Sequence, residues 1–241
     1  MIKACYPPPY VVKKDRDAEG VDGRIVAYTD RSSHIAEQYK MLRTNIYYLS
    51  PDRPLKTILI TSAQAQEGKT VTACNLAMTL SMDKEKKVLL VDADFRRASV
   101  HTMFGISGKV GFFNILDGEV EVEELISKPA VGNLYIMPAG TVKANPSEIL
   151  ISTKIKLAID KLKSKFDYVV FDSPPVLSVT DASVLGSLCD AVFLVVRSNV
   201  TQRSIIEEAF NVLGEAKANP KGCILTNSAM MLDYQYYFKR K

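Results

Sequence analysis

The residues best placed to do chemistry are Gly68, Lys69 and Thr70, which follow the apolar run TILITS (Thr57–Ser62) and open the helical stretch KTVTACNLAMTL. A glycine, a lysine and a hydroxyl at the junction of a strand and a helix suit a phosphate chain. Backbone N–H groups of the loop and first helical turn point at the phosphates, and the lysine brings a positive charge. The hydroxyl can face Mg²⁺. The full GxxxxGK[ST] pattern is not met, because Ala63 stands where its first glycine would be. The loop residues Gln66, Glu67, Gly68, Lys69, Thr70 and Val71 are the expected ATP contacts.

Two further apolar runs end in acids. KVLLV (Lys87–Val91) leads into Asp92-Ala93-Asp94, and YVVF (Tyr168–Phe171) leads into Asp172. A single Asp after a strand is usually a turn former. If these strands are parallel, however, their C-terminal ends share one edge. Lys69, Asp92, Asp94 and Asp172 then face one crevice, where a Mg²⁺ bound with a triphosphate would find the hydroxyl and carboxylate partners it needs, in part through waters.

The elements that must position these groups alternate. Strand-like runs at Thr57–Ser62, Lys87–Val91, Asn133–Pro138, Tyr168–Asp172, Ala191–Val196 and Gly222–Thr226 are separated by helical stretches at Lys69–Met82, Gly111–Leu116, Ser152–Leu162, Asp181–Leu188 and Ser204–Ala216. The strands are apolar throughout rather than alternating, as when helices cover both faces. The expected fold is α/β, a doubly wound and mostly parallel sheet. Before it, Ile35, Tyr39, Leu42, Ile46 and Leu49 recur at helical spacing over Ser33–Leu49, with Ser32 or Ser33 as cap. Residues 1–31, with PPP at Pro7–Pro9, read as an extended N-terminal arm, residues 32–231 as the catalytic domain, and 232–241 as a tail.

Bulk properties argue for no special class. Among 241 residues the net charge is +4, with no basic stripe for nucleic acid. No apolar run approaches the roughly 18–20 residues of a membrane span, and MIKACYPPPY lacks a signal-peptide core. Cys5, Cys74, Cys189 and Cys223 are scattered without CxxC spacing, and His34 and His101 make no ligand cluster. A cytoplasmic protein is expected.

At this point a family resemblance is carried by several strings. EQYKMLRTN (Glu37–Asn45), VLLVDADFRRASVH (Val88–His101), GFFNILDG (Gly111–Gly118), MPAGTVKANPSEIL (Met137–Leu150) and FDSPPVLSVTDA (Phe171–Ala182) resemble, in this order along the chain, motifs of the bacterial tyrosine kinases of capsule and exopolysaccharide synthesis. These are P-loop proteins of the MinD/ParA-like superfamily. The resemblance implies ATP and Mg²⁺ as cofactors, Lys69, Asp92, Asp94 and Asp172 as the catalytic set, and Thr70, Asp94 and Asp172 around the metal. Asp92 would accept or orient the tyrosine hydroxyl proton, Arg197 would lie near the nucleotide, and Asn227 would read the adenine edge. It also implies autophosphorylation at Tyr234, Tyr236 and Tyr237, in a tail holding three of the chain's eleven tyrosines. Glu37, Lys40 and Arg43 would be contacts of a ring-like homo-oligomer, and a membrane adaptor of the polysaccharide co-polymerase type would recruit and activate the kinase. A fully modified tail would carry roughly −5 of charge beside the acids and be expelled.

Departures from the family pattern are Ala65 and Gln66, where proline and glycine are usual, and Lys40 in place of the middle arginine. Two rivals stay open on the sequence. A positioning ATPase of the same superfamily would carry a second lysine near Ala63 or Gln64, which this chain lacks. A nucleotide-binding scaffold without activity would tolerate the altered loop.

Overall fold

The computed structural model describes residues 20–126, 130, 133–143 and 145–227. Its strands are β1 (Thr57–Ser62), β2 (Val88–Asp92), β3 (Leu134–Met137), β4 (Tyr168–Asp172), β5 (Ala191–Arg197) and β6 (Pro220–Thr226). Its helices are α1 (Val26–Thr29), α2 (His34–Tyr48), α3 (Lys69–Leu80), α4 (Val100–Met103), α5 (Phe112–Asp117), α6 (Val122–Leu125), α7 (Pro146–Ile151), α8 (Thr153–Lys165), α9 (Asp181–Leu188) and α10 (Arg203–Glu215). The sheet order is β3-β2-β4-β1-β5-β6, and every pairing is parallel.

Burial on both faces explains the unbroken apolar strands. Ile58 and Ile60 of β1 enter one core with α1 to α4, while Leu59 enters the other with α5, α8, α9 and α10. The same alternation splits Val88 and Leu90 from Leu89 and Val91 on β2, and Phe193 and Val195 from Val192 and Leu194 on β5. A slip of one residue would exchange the two sets, so each register is well specified.

The register places the acids. Asp92 pairs with Asp172 across β2 and β4, and Ile60 of β1 is also opposite Asp172. The chain leaves β1 on one side toward β2 and later returns on the other side through β5, so β1 lies at a topological switch point, where open sheets of this kind bind ligands.

The N-terminal reading needs correction at residues 20–31. Val21, Ile25 and Ala27 are completely buried, and α1 packs on α3. Asn75 of α3 fastens this segment: its Oδ1 accepts from Ala27 N–H at 3.0 Å and its Nδ2 donates to the Arg24 carbonyl at 2.9 Å. The apolar residues here are too few to display a period, so the sequence read as a loop. Residues 1–19 of the proposed arm and the proposed tail lie outside the described residues.

Three short helices lie outside the sequence expectation. α4, α6 and α7 span four to six residues, less than two turns, over which helical spacing cannot be told from chance. The strings GFFNILDG and MPAG meet directly: the N–H groups of Phe112 and Phe113 donate to the carbonyls of Pro138 and Ala139, each at 2.8 Å. Gly111 permits this approach, since a Cβ there would fall 2.0 Å from the Pro138 carbonyl oxygen.

Candidate active site

The phosphate loop runs from the end of β1 to the start of α3. Gly68 has φ +91°, a left-handed conformation open to glycine. Gln66 has φ +66° without that freedom. Ser62 Oγ donates to the Gln64 carbonyl at 2.6 Å. Ala63, at the place of the missing glycine, is fully buried in the core shared with α9 and α10. Val71, one turn into α3, packs against the opposite core.

The predicted polar groups converge at the mouth of this loop. Lys69 Nζ lies 2.8 Å from Asp94 Oδ2 and 3.5 Å from Asp172 Oδ1. Thr70 Oγ1 donates to Asp172 Oδ2 at 2.7 Å. Asp94 is held in place by the Arg97 N–H, which donates to its Oδ1 at 2.9 Å. Asp92 is in the same strand edge but differently engaged. Its Oδ2 accepts from the N–H groups of Ser99 and Val100 at 2.9 and 3.0 Å, and its Oδ1 from Asp94 N–H at 3.2 Å.

Burial sets the electrostatics. Desolvation works against the Lys69 charge, but the carboxylates of Asp172, Asp94 and Asp92 outweigh it and hold the ammonium above its usual pKa. Asp172 is raised because it is fully buried, with Lys69 and the Thr70 hydroxyl opposing. Asp92 is pushed up to about 7 by burial and then by the charge of Asp172, against the three backbone donors. Three acids served by one lysine leave the pocket short of positive charge.

That shortage, with hard oxygen donors on Thr70, Asp94 and Asp172, fits Mg²⁺. Among the described residues no group of three or more His, Cys, Asp or Glu side chains can hold a metal by itself. A cation here would therefore share its coordination with phosphate oxygens and water, which is how Mg²⁺ usually binds.

Arg197 and Asn227 sit on the other flank. Arg197 ends β5 opposite Thr226, and Asn227 follows β6 with φ +54°. Thr226 Cγ2 is 3.5 Å from where a Cβ on Gly68 would be, so this strand end adjoins the phosphate loop. Glu37, Lys40 and Arg43 are on α2, away from the phosphate loop. Glu37 pairs with Lys40 at 2.5 Å, and Arg43 Nη1 donates to the Thr79 carbonyl at 3.0 Å. Thr79 is at the far end of α3 from Lys69, about 15 Å along the helix axis. Tyr234, Tyr236 and Tyr237 lie outside the described residues.

Sequence reasoning missed a network beside the acids. Arg96 Nε lies 3.3 Å from Asp181 Oδ2, Arg96 Nη2 donates to Ser147 Oγ at 3.0 Å, and Ser147 Oγ donates to Asp181 Oδ1 at 3.0 Å. Asp181 is fully buried at the start of α9. This network ties the loop after β2 to α7 and α9. Each of its members falls within a motif string, which was the available signal, but no spacing rule predicts that three such distant residues meet.

Comparison with known proteins follows the same lines. The family described as an AAA domain matches residues 55–219. The tyrosine-protein kinase YwqD of Bacillus subtilis is 34% identical over 228 residues, covering 94% of this chain and 95% of YwqD. The chain belongs to the bacterial tyrosine-protein kinases. The kinase domain of Escherichia coli tyrosine kinase ETK superposes with a TM-score of 0.85 at 26% identity, over 93% of this chain and 89% of ETK's. The wider fold is that of the MinD-like P-loop ATPases. The septum site-determining protein MinD of Pyrococcus horikoshii, complexed with Mg-ADP, matches with a TM-score of 0.60 at 26% identity, over 70% of this chain and 69% of that one. In this bacterial tyrosine kinase the acids and the lysine stand on the edge where such folds take nucleotides. Among the described residues no helix is long and apolar enough to cross a membrane.

Proposed function

We propose that this chain is an ATP-dependent autokinase that phosphorylates Tyr234, Tyr236 and Tyr237 of a neighbouring copy, in the control of capsular or exopolysaccharide synthesis and export. The observation that carries the reading is the convergence of Lys69, Thr70, Asp94 and Asp172 within hydrogen-bond or ion-pair distance at one sheet edge, in a chain of this kinase family.

Each residue has a role that its position permits. Lys69 binds the β- and γ-phosphates, and the loop N–H groups of residues 66–71 hold the rest of the triphosphate. Thr70, Asp94 and Asp172 would hold Mg²⁺, which when bound neutralises charge on the transferring phosphoryl group. Arg197 and Asn227 flank the base. Asp92 takes the proton from the tyrosine hydroxyl, whose unperturbed pKa is near ~10. A carboxyl titrating at about 7 is a better proton acceptor than an ordinary aspartate. Most of the rate gain comes from positioning and charge neutralisation.

Self-association would use Glu37, Lys40 and Arg43 of α2 in a ring-like homo-oligomer, so that one tail enters the next crevice. A membrane adaptor of the polysaccharide co-polymerase type would bring this cytoplasmic chain to the inner face of the membrane. No nucleic-acid partner is invoked.

The test is to incubate the full chain with Mg-ATP, with and without an adaptor peptide, and to map modified residues by mass spectrometry. Phosphate on the tail tyrosines that disappears in Lys69→Met supports the kinase. The MinD-like neighbours favour one second reading, an ATP-driven switch. Hydrolysis without phosphotyrosine would establish that instead.

A further inference from the structure

Glu67 lies inside the phosphate loop, yet its side chain serves the protein. It is 4% exposed, so its carboxylate is turned away from solvent. One oxygen accepts from the Gln64 N–H at 2.7 Å, three residues back in the loop. The other accepts from the Thr201 hydroxyl, in the connection between β5 and α10. The Glu67 carbonyl accepts from Thr226 Oγ1 at 2.7 Å, at the end of β6. One residue therefore ties the phosphate loop to itself, to the loop after Arg197 and to the strand end before Asn227.

We infer that Glu67 is a positioning residue for nucleotide binding: it sets the curvature of the phosphate loop and fixes that loop in register with the two segments flanking the base. The inference rests on the reading of this edge as a nucleotide site and adds a residue whose side chain need not touch the ligand. A carboxylate in an anion-binding loop opposes the ligand electrostatically, so its benefit must come from geometry. The geometry is well suited to the task, because Gln66 and Gly68 on either side both have positive φ and such a turn needs external restraint. Since the ties exist before chemistry begins, their loss should weaken ATP binding more than turnover.

The experiment measures Mg-ATP Kd, KM and kcat for the full chain and three variants. Glu67→Ala removes the acceptor for both donors and should raise Kd and KM about tenfold or more, with kcat at saturating ATP within about threefold of wild type. Glu67→Gln keeps the shape. Its carbonyl can accept from Gln64 N–H and its amide can donate to Thr201 Oγ1, so Kd should return to within about threefold of wild type. Thr201→Val cuts only the tie to the β5–α10 connection and should weaken binding by about three- to fivefold; it gives a reading even if Glu67→Ala does not fold. Unchanged Kd in Glu67→Ala and Thr201→Val overturns the inference. So does a Glu67→Gln variant as weak as Glu67→Ala, or a loss confined to kcat. If wild type itself fails to bind Mg-ATP, the nucleotide-site reading is the one that falls, and the inference falls with it.

Discussion

The ammonium of Lys69 lies 2.8 Å from a carboxylate oxygen of Asp94, with Asp94 buried and Lys69 partly exposed. A lysine that is to grip the β- and γ-phosphates is thus an ion-pair partner of an acid that is to face Mg²⁺. In the proposed site, nucleotide binding would exchange this pair: the lysine would turn to phosphate, and Asp94 and Asp172 would face the cation instead. The exchange conserves charge balance in a pocket where an unpaired carboxylate is costly.

Removing Lys69 should therefore do more than abolish phosphoryl transfer. In Lys69→Met the acids lose their counter-charge, and folding should cost about 3 kcal/mol at pH 8. The deficit should shrink toward pH 5, because Asp92 and Asp172 both hold protons more tightly than ordinary aspartates. Urea titrations of wild type and variant at the two pH values measure this; an equal deficit at both would contradict the electrostatic account.

Asp92 gives a separate pH signature. Burial and the charge of Asp172 push its carboxyl up to about 7, so at lower pH it would be protonated and unable to take the proposed tyrosine proton. The kcat/KM of tail phosphorylation should rise through that pH, since this ratio reports the free enzyme. In Asp92→Asn the limb should vanish and the rate fall about 100-fold. Linkage runs the other way. The folded state holds this proton above the unfolded value near ~3.9, so the group's contribution to stability is greatest in acid and is lost as pH rises toward 7. A flat rate profile between pH 6 and 8 would remove Asp92 from the proton transfer.

Much of this was legible in the chain itself. The six strands can be placed because strands covered on both faces are nearly all apolar, and the bounds of β1, β4 and α9 agree to the residue. The acids could be assigned to one edge because parallel topology forces strand ends together. What could not be read depends on contacts between distant segments. Arg96, Ser147 and Asp181 meet only once β2, α7 and α9 are packed, and Thr201 meets Glu67 only across the β1–β5 pair. The segment at 20–31 failed for another reason. Its order comes from Asn75 on α3, and a buried asparagine looks no different in sequence from an exposed one. α7 does carry a start signal in the sequence. Asn145 accepts from Ser147 N–H at 3.2 Å, and Pro146 occupies the first turn, a recognised start signal.

Gln66 is a defect that can be repaired. Its φ of +66° costs a non-glycine residue about 1 kcal/mol. Gln66→Gly should recover part of that cost and tighten Mg-ATP binding by about two- to threefold. Calorimetric titration checks the affinity. A weaker complex would mean that the glutamine side chain contributes to the site.

The α2 contacts separate association from folding. Glu37 and Lys40 form a partly exposed pair, worth at most about 0.5 kcal/mol. Glu37→Lys should leave the melting temperature nearly unchanged while reducing oligomer size and phosphorylation between copies. Arg43→Ala should also loosen the end of α3, because Arg43 caps the Thr79 carbonyl. Sedimentation velocity against thermal melts distinguishes the two effects, and unaltered oligomers in Glu37→Lys would move the interface elsewhere.

A crystal structure of the chain with Mg²⁺ and a non-hydrolysable ATP analogue tests the central claim. The account predicts Lys69 Nζ on the β- and γ-phosphate oxygens, having left Asp94, with the metal on Thr70 Oγ1 and Asp94 and Asp172 reaching it directly or through water. A nucleotide bound elsewhere, or one bound here with the Lys69–Asp94 pair intact and the acids turned from the metal, would contradict it.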